Sequence, residues 1–370
     1  MPQPARILLV HVAVAALFVA GAVPAASAVP EPVPKAAPTG FTPSSTSWPS
    51  AARGWVLGFA PCRSGSCPVL LRTNDGGDSW ARRPAPPVEA APTQERVRVS
   101  FANGEDGLVT NGHQLFATHD AAETWQPVRL PDATQPVSIR TLETSSRYAY
   151  AVVAAGTGAT ARTRLYSSPL RRTRWHPVSG VAIDGRGGWD VAARDSGGEV
   201  ALGEIFASSR YWTTRDGRTW HERQAPCPAT AKTGLDDTSS LPLVFALCSS
   251  DPRRGHMRKE LKISVRGLPF VSLGPAPYPG ITTDFAVASP TTAAVAAVAG
   301  GQSFLYVTFD GGRTWNESLV RPGGGFRDLD FQDARHGVAV LHNPASAAAV
   351  YRTEDGGHSW SRLSLATQEQ

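Results

Sequence analysis

Short segments in which apolar and polar residues alternate recur along the chain beyond residue 40. In the last group, Phe326 to Phe331 reads FRDLDF, two apolar runs follow at Gly337 to Leu341 and Ala347 to Thr353, and a fourth segment begins at Trp360. Alternation with period two and short apolar runs between Gly, Asp and Pro are typical of β-strands. No stretch beyond residue 28 has a convincing helical period. The pattern therefore predicts an all-β protein built from four-stranded units.

Tryptophans mark the repeat. Successive spacings are 45, 50, 45, 95 and 45 residues for the series Trp80, Trp125, Trp175, Trp220, Trp315 and Trp360. The interval of 95 residues equals two periods with one marker lost. Periods of about 40 to 50 residues with one turn signature and one aromatic residue per unit are typical of propeller blades. The count predicts a single seven-bladed β-propeller of four-stranded antiparallel blades.

A similar turn sequence recurs within the chain, just before most of these tryptophans. The copies are TNDGGDSW at Thr73 to Trp80, TFDGGRTW at Thr308 to Trp315, TEDGGHSW at Thr353 to Trp360, THDAAETW at Thr118 to Trp125 and TTRDGRTW at Thr213 to Trp220. A short aspartate accepts hydrogen bonds from backbone N–H groups of its own turn, and glycine supplies positive φ. Ala121 and Ala122 replace the glycines in one copy, and left-handed geometry costs a non-glycine residue about 1 to 2 kcal/mol. We expect that turn to be distorted or less stable.

These turns resemble the Asp-box, or bacterial neuraminidase repeat, with the pattern S/T-x-D-x-G-x-S/T-W. The aspartate and tryptophan positions of the repeat are Asp75, Trp80, Asp120, Trp125, Asp216, Trp220, Asp310, Trp315, Asp355 and Trp360. Asp-boxes occur in sialidases, xyloglucan-degrading glycosidases, sortilin-type receptors and propellers similar to the photosystem II stability and assembly factor. The resemblance implies a propeller with Asp-box turns that are structural and lie at the blade periphery, away from the binding face. It does not select a function.

The first 40 residues resemble an export leader followed by a linker. Residues 1–28 combine Arg6, an apolar run from Ile7 to Val23 and a small-residue ending at Ala28, which is typical of a secretory signal peptide. An uncleaved membrane anchor is the alternative, although His11 interrupts the run. Residues 29–40 are predicted as a Pro-rich linker and residues 41–370 as the propeller. The expected location is secreted or extracytoplasmic, in the cell envelope, and the composition is typical of a GC-rich bacterium.

Four cysteines fit an oxidising compartment. We expect two local disulfides, Cys62 with Cys67 and Cys227 with Cys248. A metal site is the alternative, but it lacks further ligands at suitable spacing. The formal charge is only +5, with local basic clusters at Arg171 to Arg174 and Arg253 to Lys259. Each cluster is either a solvated loop or a contact for an anionic glycan, and nucleic acid is not an expected partner.

A search for catalytic chemistry finds no recognisable motif. The arginine motif that precedes the first Asp-box of sialidases is missing between Phe41 and Arg72, and metal, phosphate-binding and nucleophile-elbow motifs are missing as well. A glycosidase needs two carboxylates across a cleft. Candidates outside the turns are Asp184, Asp190, Asp195, Glu199, Glu204, Asp284, Asp328 and Asp330. We predict no catalytic residue, no metal and no cofactor.

Polar residues on the innermost strands are the binding candidates. They alternate with apolar residues and should line the axial channel or its mouth: Arg98, Arg140, Asp284, Asp328 and Asp330. Salt bridges between adjacent inner strands are the alternative role. The sequence favours a monomeric, non-catalytic scaffold that recognises an extracytoplasmic protein or a cell-surface glycan through one propeller end face. A sialidase- or xyloglucanase-type glycoside hydrolase is the main alternative, and an assembly factor for a membrane complex is a weaker one.

Overall fold

A computed structural model describes residues 37–63, 65–89, 97–133, 135–156, 162–181, 183, 188–193, 200–205, 210–238, 241–342 and 348–365. Among these, the side chains of residues 188 and 200–205 are not considered further. The predicted signal peptide, residues 1–28, lies outside the described residues, as does the linker up to residue 36.

The described residues form antiparallel sheets, each made of four strands that follow one another in the chain. The first sheet contains β1 (Thr42–Ser47), β2 (Gly54–Cys62), β3 (Gly65–Thr73) and β4 (Ala81–Arg83). The second contains β5 (Arg98–Phe101), β6 (Gly107–Thr110), β7 (Leu115–Thr118) and β8 (Gln126–Pro127). The third contains β9 (Val137–Thr144), β10 (Tyr148–Ala155), β11 (Arg162–Pro169) and β12 (His176–Pro177).

The remaining strands repeat the same order. The fourth sheet contains β13 (Gly188–Ala192), β14 (Val200–Ile205), β15 (Arg210–Thr214) and β16 (His221–Gln224). The fifth contains β17 (Lys232–Asp237), β18 (Leu243–Arg253), β19 (His256–Val265) and β20 (Val271–Ala276). The sixth contains β21 (Ile281–Val287), β22 (Ala293–Ala299), β23 (Gln302–Thr308) and β24 (Asn316–Pro322). The last contains β25 (Phe326–Phe331), β26 (Gly337–Leu341), β27 (Ala349–Thr353) and β28 (Ser361–Arg362).

The first strands of the sheets contact one another in sequence and close a ring, in which β25 returns to β1. Each sheet therefore extends outward from its first strand to its fourth, which is the arrangement of a β-propeller. The two ends of the described chain meet, since the Ala37 N–H donates to the Leu365 carbonyl at 3.0 Å. No strand from one end joins the sheet of the other. The all-β class and the four-stranded antiparallel blades are confirmed.

The predicted architecture of seven blades with Asp-box turns needs a correction. Four-stranded sheets number seven in the described part of the chain, but the blade type that the prediction assigned to all of them occurs only six times. Six sheets carry the marker tryptophan just before the fourth strand; the sheet β17–β20 has Phe270 there. Its turn, Ser264 to Phe270, has Arg266 where five of the other six turns have aspartate; the turn before Trp175 lacks the aspartate but keeps the tryptophan. Because the sheet β17–β20 lacks both the tryptophan and a carboxylate to accept the turn's N–H groups, it is not a blade of the predicted kind.

The intact turns share one hydrogen-bond pattern. In the first, the Ser79 N–H donates to Asp75 Oδ1 at 2.9 Å, and the Gly77 N–H donates to Thr73 Oγ1 at 2.8 Å. Thr73 Oγ1 itself donates to Asp75 Oδ1 at 2.7 Å. The same contacts recur around Asp310, whose pKa is lowered to about 2 by hydrogen bonds from Thr314. We call Thr73–Trp80, Thr118–Trp125, Thr214–Trp220, Thr308–Trp315 and Thr353–Trp360 the aspartate turns.

The aspartate turn with two alanines keeps the same contacts. Ala121 and Ala122 have φ values of 61° and 69°, so both adopt the left-handed conformation that costs a residue with a Cβ atom. The Ala122 N–H still donates to Thr118 Oγ1 at 3.0 Å, and the Thr124 N–H donates to Asp120 Oδ1 at 2.9 Å. The expected distortion is therefore not seen, and reduced stability stays a prediction.

The apolar core lies between neighbouring sheets. Trp55 and Leu57 of the first sheet pack with Val99 and Phe101 of the second, and the Trp55 and Phe101 rings stack with centroids 3.9 Å apart. This packing explains the alternation on the inner strands, since every second side chain enters such an interface. The two predicted disulfides, Cys62–Cys67 and Cys227–Cys248, are confirmed, and they indicate an extracytoplasmic, oxidising environment.

The sheet β17–β20, which we call the irregular sheet, contains one of the basic clusters noted in the sequence. Its central strands, β18 and β19, form a long hairpin with the segment Arg253 to Lys259 at its tip. Lys259 does not lie in a solvated loop: it is 4 % exposed, and its ammonium group donates to five backbone carbonyls. Those carbonyls belong to Met257 and to the segment Pro277–Gly280.

Candidate functional site: an axial cavity

A cavity of about 550 Å³ lies inside the ring of first strands. Every first strand contributes to its wall: β1, β5, β9, β13, β17, β21 and β25. A cavity of this volume falls in the range that proteins use to bind small molecules or short segments of partners. None of the aspartate turns contributes to the wall, in the part of the chain that the structure describes.

One position of the first strands recurs around the wall, and we call it the wall position. Its occupants are Ser45, Arg98, Arg140, Asp190, Asp284 and Asp328, which line the cavity, and Gly234, which does not. At the four positions with serine or aspartate, a side-chain oxygen accepts the N–H of the residue that follows the wall position on the next strand. Asp284 accepts from Leu329 at 3.0 Å, Asp328 from Thr46 at 2.9 Å and Asp190 from Leu235 at 2.8 Å.

The other junctions of the ring are also bridged by first-strand side chains. Ser45 Oγ accepts the Val99 N–H at 3.1 Å, and Asp236 accepts the Val287 N–H at 2.6 Å. Across the junction between β5 and β9, the Ser100 and Thr144 hydroxyls lie 2.9 Å apart. Across the junction between β9 and β13, the Thr141 hydroxyl donates to the Trp189 carbonyl. Each blade is thus tied to its neighbour at the inner wall, where backbone groups of a first strand would otherwise lack a partner.

Burial gives two wall carboxyls unusual acidities. Burial, aided by the nearby charge of Asp284, raises the pKa of Asp190 to about 7. Burial and the charge of Asp328 likewise raise the pKa of Asp284 to about 6. Hydrogen bonds from backbone N–H groups oppose these changes without cancelling them. Near neutral pH this side of the wall therefore carries less negative charge than its number of carboxyls suggests.

Basic residues occupy a different part of the wall. Arg98 and Arg140 hold the wall position on the neighbouring strands β5 and β9, and Arg140 is exposed. Arg98 Nη1 lies 3.6 Å from Asp328 Oδ1, with 37 % of the Arg98 side chain exposed. Lys232, at the start of β17, also lines the cavity, but it lies on the side of the aspartates, between Asp190 on β13 and Asp284 on β21. The wall is therefore divided between an arginine sector and an aspartate sector.

The five binding candidates from the sequence all reach this cavity. Arg98, Arg140, Asp284 and Asp328 share the wall position, and Asp330 lies two residues further along β25, where Gln332 Nε2 donates to it at 3.1 Å. The alternative role, ion pairs between adjacent inner strands, is not what Arg98 and Asp328 form, because β1 lies between their strands.

Four charged residues of the cavity lining were not among the binding candidates from the sequence: Asp190, Asp236, Lys232 and Glu143. Asp190 follows Trp189 on a first strand, and the pattern WDVA would have marked it once β13 was recognised as equivalent to β21, which reads TDFA. Among the other carboxylates considered for glycosidase chemistry, Asp184, Asp195 and Glu199 lie outside the described residues, as does the side chain of Glu204.

The described residues contain no group of three or more His, Cys, Asp or Glu side chains arranged to hold a metal ion. No helix in the described part of the chain has the length and apolar character needed to cross a lipid bilayer. The carboxylates of the cavity are thus arranged as hydrogen-bond acceptors for neighbouring strands rather than as a cluster of ligands.

Comparison with solved structures places the chain among β-propellers. The structure titled "YCF48 from Cyanidioschyzon merolae" matches with a TM-score of 0.57 and 16 % identity, covering 87 % of this chain and 97 % of that one. A second, "YCF48 bound to D1 peptide", matches with a TM-score of 0.50 and 19 % identity, covering 90 % and 96 %.

Enzymes appear among the similar structures as well. An ulvan lyase of polysaccharide lyase family PL25 matches with a TM-score of 0.54 and 10 % identity, covering 90 % of this chain and 97 % of that one. A puromycin hydrolase matches with a TM-score of 0.61 and 13 % identity, but this chain covers only 54 % of it. No family model and no curated protein sequence matches the chain. Identities this low show the propeller fold alone.

Proposed function

We propose that this protein is a secreted, monomeric, non-catalytic scaffold that binds an extracytoplasmic protein or a cell-surface glycan at one end face of the propeller. The axial cavity is the proposed recognition site. Residues 1–28 are the proposed export signal and residues 41–370 the binding domain, with the Asp-box turns as structural features of its blades.

One observation carries the proposal: the wall carboxylates are occupied in holding the ring together. Asp190, Asp236, Asp284 and Asp328 each accept a backbone N–H from the next first strand. A general acid or nucleophile must be available to substrate in the reactive geometry, whereas these oxygens are directed at the neighbouring strand. The arginine sector, with Arg140 exposed, is then the part of the cavity suited to bind an anionic or carbonyl-bearing group.

The similar structures are compatible with binding of a polypeptide. One neighbour is titled as bound to a D1 peptide, and by analogy a segment of another envelope protein is a suitable occupant for this cavity. The analogy supports a class of ligand, since fold likeness does not transfer a partner.

A glycan array and a pull-down from the cell envelope test the proposal, both with the mature wild-type protein. The ligand that is recovered is then titrated against Arg98→Ala with Arg140→Ala, and we expect at least about a tenfold loss of affinity. Arg362→Ala removes an exposed arginine from β28 and serves as the matched control. Unchanged binding in the double variant would contradict recognition at the arginine sector.

A glycoside hydrolase of sialidase or xyloglucanase type is the second candidate, and the raised pKa values of Asp190 and Asp284 in the cavity favour it. A carboxyl with a pKa of about 7, such as Asp190, is protonated enough to act as a general acid near neutral pH. Hydrolysis of sialosides or β-glucans at enzyme-like rates, abolished in Asp190→Asn and Asp284→Asn, would establish this function. It would also overturn the non-catalytic one.

A further inference from the structure

Exposed large apolar side chains are concentrated on one sheet, β17–β20, which is remote in sequence from the arginine sector. Large hydrophobic residues that are strongly exposed number five in the described residues, and four belong to the sheet β17–β20 and its loops. They are Leu241 at 45 %, Val265 at 43 %, Leu268 at 64 % and Val271 at 64 %. We call these four residues the apolar corner.

Backbone contacts hold the apolar corner together. The Arg266 N–H donates to the Pro242 carbonyl at 2.9 Å, which joins the β17–β18 loop to the β19–β20 turn. Within that turn the Leu268 N–H donates to the Val265 carbonyl at 3.0 Å. Val265 also pairs with Leu243 in the sheet. These contacts bring Leu241, Val265 and Leu268 to the same end of the sheet, and Val271 is paired with Ile263, two residues before Val265. Exposed apolar residues grouped in this way mark interaction sites.

The aspartate turns provide an internal comparison. The turn Ser264–Phe270 has the same length as Thr214–Trp220, and Gly267 and Gly217 have φ values of 74° and 68°. At the two exposed positions where the irregular turn has Val265 and Leu268, the other has Arg215 and Arg218. Val265 and Leu268 are exposed, whereas Phe270 packs against the buried cluster of this sheet, so the turn does not bury apolar side chains at those two positions.

The strand beside the apolar corner is an unusual outer edge. Outer strands of the other sheets have two or three residues or contain charged residues, as in β16 and β24. By contrast, β20 has six residues, VSLGPA, and no charge. A bulge at Leu273 divides β20 into two parts, Val271–Ser272 and Gly274–Ala276, which both pair with β19. Pro275 has no N–H group to donate to an added strand, so the beginning of β20 is the part open to one. An uncharged edge is a template for an added strand.

Charge selects the kind of segment that can be added. Of the six Lys and Arg residues in residues 241–280, four lie between Arg253 and Lys259, at the opposite end of the β18–β19 hairpin. At the apolar corner itself, Arg266 takes the position that aspartate holds in the aspartate turns, and it is exposed beside Val265 and Leu268. A segment with an acidic residue next to its apolar part is therefore complementary to this surface, whereas a basic segment is repelled.

We propose that the apolar corner and β20 form a second binding site, which takes an extended segment of another protein, apolar with a flanking Asp or Glu. The segment adds a strand to the beginning of β20 and covers Val265, Leu268 and Val271, while its carboxylate meets Arg266. None of these residues lines the axial cavity. The site is thus independent of the function proposed for the cavity.

A displayed library of random 12-residue peptides tests the site on the mature protein. The library is first depleted on the variant Val265→Arg with Leu268→Arg, which reproduces the arginines of the turn Thr214–Trp220. We expect peptides that combine several apolar residues with an Asp or Glu to be enriched on the wild type. Their affinity should fall at least about tenfold in the depleting variant and several-fold in Arg266→Glu.

Two controls separate docking from other effects. Asn74→Arg with Asp78→Arg places the same charges on an aspartate turn and should leave affinity unchanged, and circular dichroism checks that each variant is folded. Hydrogen exchange should show that a selected peptide protects the amides of Val271 to Leu273, as strand addition requires.

Several outcomes overturn the proposal. These are no enrichment, equal binding to the depleting variant, enriched peptides without acidic residues, or absence of protection in β20. Light scattering that shows a dimer dissociated by Val265→Arg with Leu268→Arg would assign the surface to a second copy instead. Binding to phosphatidylglycerol vesicles lost in the same variant would assign it to a membrane, and either result excludes the proposed occupant.

Discussion

The turns Thr214–Trp220 and Ser264–Phe270 have the same length and the same left-handed glycine, yet only the first contains an aspartate. In the first, Asp216 accepts the Thr219 N–H at 2.7 Å and the Arg218 N–H at 2.8 Å. In the second, Ser264 Oγ donates to the Leu268 carbonyl at 2.6 Å, and Arg266 and Pro269 occupy positions that would hold the acceptor and one donor.

The shared features are the positive φ of the glycine and an aromatic ring before the fourth strand. The backbones differ at the residue before the glycine, since Arg266 has a φ of 52° in the left-handed region and Asp216 does not. The aspartate of the first turn adds hydrogen bonds that hold its own conformation. Without those bonds, the sheet β17–β20 has two other links: the Cys227–Cys248 disulfide and the buried ammonium group of Lys259. Its stability should therefore respond to different substitutions from those that affect the other blades.

The largest effect should come from the disulfide. Cys227→Ser with Cys248→Ser opens a cross-link with a separation of 21 residues, and the free energy of unfolding should fall by about 3 kcal/mol. The matched control, Cys62→Ser with Cys67→Ser, opens a separation of 5 residues and should cost about 2 kcal/mol because the closed loop is shorter. Denaturant unfolding measures both. A larger loss in the control would show that the irregular sheet does not depend on its disulfide.

Lys259→Met should cost about 2 kcal/mol, since five carbonyl groups lose a donor in a buried place. Burial lowers the pKa of Lys259 to about 8, so the amine stays protonated at pH 7. Lys262→Met, at a half-buried lysine 3.5 Å from Glu260, is the control and should cost under about 1 kcal/mol. Hydrogen exchange in residues 277–280 should increase in the first variant alone. Equal exchange in both would rule out the carbonyl contacts as the cause.

Substitution at the aspartate position should change the free energy of unfolding only in a turn where an aspartate accepts hydrogen bonds. Asp216→Ala should lower the free energy of unfolding, because two backbone N–H groups lose their acceptor. Arg266→Ala should change it by less than about 0.5 kcal/mol. Arg266→Asp with Pro269→Thr restores acceptor and donor together, and a gain of about 1 kcal/mol is expected. If the restored turn gains nothing, the aspartate is not the difference between the two sheets.

The smallest effect concerns the alanine turn. Ala121→Gly and Ala122→Gly should each raise the free energy of unfolding by about 0.5 to 1 kcal/mol, because the left-handed conformation penalises a Cβ atom more than the unfolded chain gains from glycine. Ala117→Gly, at a buried strand position, should destabilise the protein. Thermal unfolding of the three variants distinguishes the turn positions from the strand position. Destabilisation by all three substitutions would contradict backbone strain at Ala121 and Ala122.

The sequence predicts much of this molecule because the repeat is short and rich in signals. Alternation placed the strands, and the aspartate turns located the ends of the third strands. The series of tryptophans missed Phe270. This residue lies 50 residues after Trp220 and 45 before Trp315, so it keeps the period with a different aromatic side chain. Counting aromatic residues rather than tryptophans would have found it.

The inner wall was less accessible to sequence reasoning. Arg98, Arg140, Asp284 and Asp328 alternate with apolar residues and could be recognised, but their bridging role depends on how adjacent first strands are offset. Lys259 lies in an apparently solvated basic cluster, and only the three-dimensional path of residues 277–280 buries it. Short sequence patterns contain no information on the offset between adjacent first strands or on the path of residues 277–280.

The central claim is that the wall carboxyls hold neighbouring blades together inside a buried cavity. Burial raises the pKa of Asp190 to about 7 and that of Asp284 to about 6, above the value near 4 of an unfolded chain. The folded protein then holds protons that the unfolded chain has released, so these groups stabilise it fully below about pH 4 and lose that contribution as pH rises toward 7.

Denaturant unfolding of wild type and of Asp190→Asn with Asp284→Asn, at pH 5 and at pH 7.5, measures this contribution most directly. The account predicts that the wild type loses more stability than the double variant between the two pH values. An equal or smaller loss in the wild type would contradict it, because the two carboxyls would then be solvated and free of the wall.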